Sequence, residues 1–226
     1  MLHLMKLELK KFPPRKYILL SLFAIAASMF FTFAALNDSG HLDNRTTYMS
    51  AITEVGLIFA AIYILFFAVM NATIVVNEYE WKTIQIMFTY PLNRKMLIAA
   101  KLFLITGFAA VSMCAGYLCC GSFLVFMDAK WDLLEGSFEI AVLGQWVTTA
   151  ASTMVVCCAL GLWSFAVGMF TKSVPATIVS AILFFLLRQI VFASTDIYYD
   201  TPMEIVLVLL ITAGLLIYVF QRKIQE

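Results

Sequence analysis

Charge is what this sequence has least of: 13% of its 226 residues are Asp, Glu, Lys or Arg, against 63% hydrophobic ones, and the mean hydropathy is +0.94. A soluble domain carries about a quarter charged residues to stay dissolved, so a free globular protein is excluded. A net charge of +1 likewise removes nucleic acid as a partner, because phosphate binders concentrate basic patches. The five cysteines (Cys114, Cys119, Cys120, Cys157, Cys158) all fall inside apolar runs. No disulfide framework is implied, and they read as buried small hydrophobes. The motifs H-E-x-x-H and G-x-S-x-G and paired aspartates within apolar runs are missing, which argues against an intramembrane enzyme. No filter-like loop supports a channel. A G-x-x-x-x-G-K-[ST] phosphate loop is missing as well, so the sequence holds no ATPase site of its own.

Long hydrophobic runs are what the sequence has instead. A bilayer core of about 30 Å needs about 20 apolar helical residues, and six runs qualify, near 17–37, 53–76, 97–127, 140–170, 174–193 and 203–220. They predict an all-α integral membrane protein with six transmembrane helices, forming a single transmembrane domain over 1–226. The third and fourth runs exceed one span and so tilt, kink or project. The first sixteen residues are basic and lack an A-x-A site, so the first run reads as a retained anchor. With the N-terminus inside, twelve of the fifteen basic residues fall on the cytoplasmic side and ten of the fourteen acidic ones outside. Retention of positive charge then puts both termini in the cytoplasm. His3 and His41 lie on opposite sides and cannot share a metal.

Two cytoplasmic segments are patterned. In "MLHLMKLELKKF" (1–12), Leu2, Met5, Leu9 and Phe12 share one helical face beside Lys6 and Lys10, and Pro13-Pro14 ends the helix. This predicts an N-terminal amphipathic elbow within 1–16, lying in the headgroup plane. It serves either as a topological anchor or as an aid to partner docking. In the 77–95 connection, "NEYEWKTIQIMFTYPLNRK", Trp81, Ile84 and Phe88 recur at helical spacing, and Glu78 and Glu80 suit the positive helix end. Tyr90-Pro91 breaks the helix, and Asn93 caps the next, with Arg94 and Lys95 in its first turn. The result is a helix–turn–helix elbow suited to a partner's groove.

Ionisable residues inside spans are functional candidates by default. Glu54 and Arg188 lie toward the outer ends of the second and fifth runs. They pair with each other, or Arg188 pairs with Glu204, as a gate or helix lock; the alternative is snorkelling to the headgroups. Asn71, Gln145 and Gln189 read as hydrogen-bonding glue between helices. In the external segment "STDIYYDTPM", Tyr198 and Tyr199 are either substrate contacts or interface anchors.

These residues carry a family resemblance. Glu78, Glu80, Thr83, Pro91, Arg94 and Lys101 fall where permease subunits of type-2 ABC transporters have acidic residues, G-T, a hydrophobic helix, P-x-S-R and a later lysine. That bacterial exporter family includes antibiotic-resistance and bacteriocin-immunity permeases. "LMKLELKKF" is similar to the family's elbow. The sequence departs at Lys82, where glycine is common, and at Asn93, where serine is common. The resemblance implies a cytoplasmic coupling helix over 78–90, between the second and third spans. It also implies a partner complex with a second permease chain, identical or homologous, and two copies of a separate ATPase subunit that binds ATP and Mg. This chain would bind no cofactor itself. The substrate would be an amphipathic peptide, drug or lipid exported through the bacterial cytoplasmic membrane, and membrane lipids would surround the bundle. A substrate-capture subunit of an energy-coupled vitamin importer is the alternative; the long 77–95 elbow argues against it.

Overall fold

The computed structural model describes residues 14–39, 47–77, 94–131, 140–195 and 202–219. They form six helices: α1 Pro14–Ser39, α2 Tyr48–Asn71, α3 Arg94–Trp131, α4 Ile140–Thr171, α5 Val174–Thr195 and α6 Pro202–Tyr218. Each covers one hydrophobic run. α1 starts on Pro14, where the missing N–H costs nothing in a first turn. α3 has 38 residues, about 57 Å at 1.5 Å per residue, and projects well beyond a bilayer core. Among the described residues, four helices are long and apolar enough to cross a membrane: α1, α2 with the turn that follows it, α3 and α4. α5 and α6 contribute the shorter apolar stretches Val174–Ile190 and Ile205–Tyr218.

α2 is the axis of the bundle. About two thirds of its apolar stretch is buried (67%), against 22% for α1, so α2 is surrounded while α1 leans on its flank. In a bilayer the lipid is as apolar as the helices, and association relies on close packing and polar contacts. The α2–α4 seam uses both. Gly161 of α4 lies so near α2 that an added Cβ would sit 2.9 Å from Cβ, Cγ and Cδ1 of Phe67. That approach lets Asn71 Nδ2 donate to the Gly161 carbonyl at 3.0 Å. The interhelical role read for Asn71 is therefore present. One turn earlier on α4, the Cys157 thiol points at the Ala60 carbonyl, 3.9 Å away.

The other seams are built differently. Between α2 and α3, Tyr63 donates to the Ser112 carbonyl at 3.0 Å, and Phe59 stacks on Tyr117 with centroids 4.2 Å apart. α6 is tied to α4 where Trp163 Nε1 donates to Thr212 Oγ1 at 2.7 Å. Thr32 of α1 meets the Cys120 sulfur at 3.8 Å. Two expectations need correction. Cys120 and Cys157 are buried, but Cys114 and Cys119 are exposed, because one flank of α3 packs on no described helix. Gln189 shows no such bond among the described residues: its buried Oε1 has no hydrogen-bond partner there, and neither has the Oδ1 of Asn71, which bonds through Nδ2 alone.

Replacing Gly161 with valine forces Phe67 or the helix axis to move and should cost about 1–3 kcal/mol. Gly214, whose Cβ would meet nothing within 4 Å, should accept alanine unharmed. Thermal melts of the two purified variants in detergent check this: equal midpoints would mean that the seam is not close-packed.

Candidate functional site

The patterned connection leaves the bundle from a distorted helix end. After Asn71, α2 widens into a π turn, Ala72–Val76, and the Asn77 N–H donates to the carbonyl of Ala72 five residues back. Thr73 contributes, since its Oγ1 bonds back to the Val69 carbonyl at 2.7 Å and competes with the helical ladder. Isolated π turns recur at functional positions. All residues of this turn except Thr73 are buried, and it packs against α3, α4 and α5. The root of the connection is thereby clamped by three helices.

The α4–α5 turn lies beside it. α4 ends at Thr171, and Lys172 takes the left-handed conformation (φ 51°). Its N–H donates to the Gly168 carbonyl at 2.8 Å, a common helix C-terminal closure. Thr177 starts α5 firmly, its Oγ1 donating to the Ser173 carbonyl at 3.0 Å. A Cβ on Gly168 would collide with Thr177 and come 2.8 Å from Cγ2 of Val76. Only glycine fits where the π turn, α4 and α5 converge. Ser173 followed by Pro175 is the helix-start signal that marks this junction.

The end of the bundle that holds this junction also begins α1 and α3. Arg15, Lys16 and Lys172 are exposed there, and Lys101 is buried at 2% exposure and engaged. α3 starts at Arg94; Asn93, read as its cap, lies outside the described residues. The side chains of Glu78, Glu80, Trp81, Thr83, Ile84, Phe88, Pro91 and Arg94 lie outside the described residues, as does the N-terminal elbow.

Arg188 sits on α5 toward the opposite end, 9% exposed. It closes a small cleft with Thr53, Gly56 and Leu57 of α2 and Thr153 and Val156 of α4. Thr53 is the sequence neighbour of Glu54, which is half-buried and does not line this cleft. Arg188 is thus brought to α2 one residue from Glu54; the side chains of Glu204, Tyr198 and Tyr199 lie outside the described residues. At the same end the Tyr48 hydroxyl donates to the Asp128 carboxylate, joining the start of α2 to the end of α3.

The family model described as "ABC-2 family transporter protein" matches residues 4–188, most of the chain. The chain belongs to the ABC-2 transporter family. It is a multi-pass membrane permease of an ABC transporter, a family whose members lack their own ATPase and pair with a separate ATPase subunit. "Uncharacterized protein YcbO" of Bacillus subtilis (strain 168) is 28% identical over 189 residues, covering 82% of each chain. No solved structure matches. The match leaves the vitamin-importer alternative without support.

The left-handed Lys172 carries a strain of about 1–2 kcal/mol that glycine would not. Lys172→Gly should raise the melting midpoint, and Lys172→Val, β-branched, should lower it further than alanine does. A series in which all four side chains melt alike would mean that this turn relaxes freely.

Proposed function

We propose that this chain is the six-span membrane half of an ATP-driven exporter, with both termini in the cytoplasm, working with two ATPase subunits and a second permease chain. The observation that carries the proposal is the family match over 4–188, which takes in the whole 77–95 connection. The clamped π turn supports it, because a segment pushed by a partner needs a root that passes the push on instead of absorbing it. In this reading Glu78, Glu80, Trp81, Thr83, Ile84 and Phe88 dock in a groove of the ATPase. Pro91 and Arg94 turn the chain into α3, and Lys101 holds that helix end inside the bundle. The twelve basic residues of this side hold it in the cytoplasm.

The cargo is an amphipathic peptide, drug or lipid that enters from the bilayer and leaves on the acidic face. Arg188, with Glu54 or Glu204, forms a lock at the outer end, and Tyr198 and Tyr199 meet the cargo as it exits. The support for the lock is the buried guanidinium beside α2, which is costly to hold in an apolar setting unless it is used or paired.

Gentle purification from the native membrane should bring down a nucleotide-binding subunit. In that complex, Glu80→Ala and Arg94→Ala should leave assembly and basal ATP hydrolysis intact. Cargo-stimulated hydrolysis and efflux should fall about tenfold, the size of a coupling free energy of 1–3 kcal/mol. Wild-type stimulation and transport in both variants would remove these residues from coupling. A chain that purifies without any ATPase would overturn the reading itself.

A further inference from the structure

α3 and α4 both pack on α2 but touch each other sparsely, and toward the Tyr48–Asp128 end the space between them opens into a cavity of about 430 Å³. That lies within the range of about 300–1,000 Å³ typical of small-molecule sites. Its walls include Ile52, Tyr117, Val125, Leu143 and Trp146, with Tyr48 at the end nearest the helix termini. The inner corner is fixed before any ligand arrives. Tyr117 stacks on Phe59 at 4.2 Å, and Trp146 meets Tyr117 edge-on at 5.8 Å and 81°. Tyr48 and Ser122 are polar residues of the lining, and the Tyr48 hydroxyl donates to the Asp128 carboxylate, which stands just beyond the wall at this end, two residues from Lys130.

We propose that this cavity binds a single-chain amphiphile with a cationic head, the tail lying on the Tyr117–Trp146 corner and the head against Asp128. The apolar walls alone would select nothing, since an ordinary lipid tail gains little by leaving other tails for leucine and valine. Selection must come from the mouth. There the Asp128 carboxylate, behind Tyr48 and beside a low-dielectric space, attracts a cationic head in addition to the contacts it already makes, and nearby aromatic faces add to that attraction. A neutral amphiphile receives neither contribution, and an anionic one is repelled. Binding does not depend on the export reading, because it requires neither nucleotide nor a partner chain.

The test uses the full chain in nanodiscs of phosphatidylcholine, without ATP, and reads tryptophan quenching by a nitroxide-tailed quaternary amine, with Trp146→Phe defining the background. Saturable quenching of Trp146 that unlabelled dodecyltrimethylammonium displaces, and dodecyl maltoside does not, is the expected result. Asp128→Asn keeps an acceptor for Tyr48 but removes the charge, and should weaken binding about tenfold. Ser122→Phe, from an exposed position on the cavity rim, should abolish saturable binding without lowering the melting midpoint. Quenching that never saturates, or that is equal for a nitroxide-tailed phosphatidylcholine, would show that bulk lipid fills the space and would overturn the proposal. Unchanged affinity in Asp128→Asn would overturn it too.

Discussion

The rest of the bundle depends on how closely α2 and α4 approach. In water the burial of apolar surface would hold six such helices together, but in a bilayer that force largely cancels, because lipid satisfies a leucine as well as another helix does. What remains is contact too close for a lipid tail to imitate, and polar bonds that lipid cannot make. Gly161 provides the first by letting Phe67 lie against its backbone. Asn71 provides the second by reaching the carbonyl that the missing side chain uncovers. The two are coupled: a larger residue at 161 would also carry the carbonyl out of reach. Because α1, α3 and α5 are arranged around α2, the seam sets the frame on which they pack.

The coupling proposed for the 77–95 connection draws on that frame. Asn71 is the last residue of regular α2, and the π turn begins with the next one. The connection from 77 to 95 is therefore rooted a few residues from the close α2–α4 contact, at a helix end that is itself packed. On its other side it enters α3, a helix about 57 Å long by its 38 residues, whose far end is bonded through Asp128 to the start of α2. A displacement at the root of α3 is thus carried along a rod that is pinned at its other end.

Much of this was legible in the sequence and some was not, for a physical reason. Hydropathy locates long apolar segments without ambiguity, so each of the six runs became a helix within a few residues of its expected ends. The family was legible because the 77–95 connection combines acids, an amphipathic repeat, proline and arginine in a stretch where lipid solubility exerts no pressure. Which face of each helix points inward was not legible. A helix apolar on every side shows no contrast between lipid and protein, so neither the centrality of α2 nor the exposure of Cys114 and Cys119 left a pattern to read. Asn71 was the exception, because an amide inside an apolar run must find a partner. The aromatic cavity had no signal at all: it arises where two helices diverge, and Tyr48, Asp128 and Trp146 are remote from one another in sequence.

The two residues between α4 and α5 also set a limit on motion. With Lys172 closing one helix, Ser173 opening the next and Gly168 seated against Thr177, the joint has no slack to take up a change of angle. α4 and α5 are thereby held as one close-packed hairpin. Since Val76 rests on that joint, the π turn, α4 and α5 meet in one close-packed corner, and a change at the root of the 77–95 connection meets both helices at once.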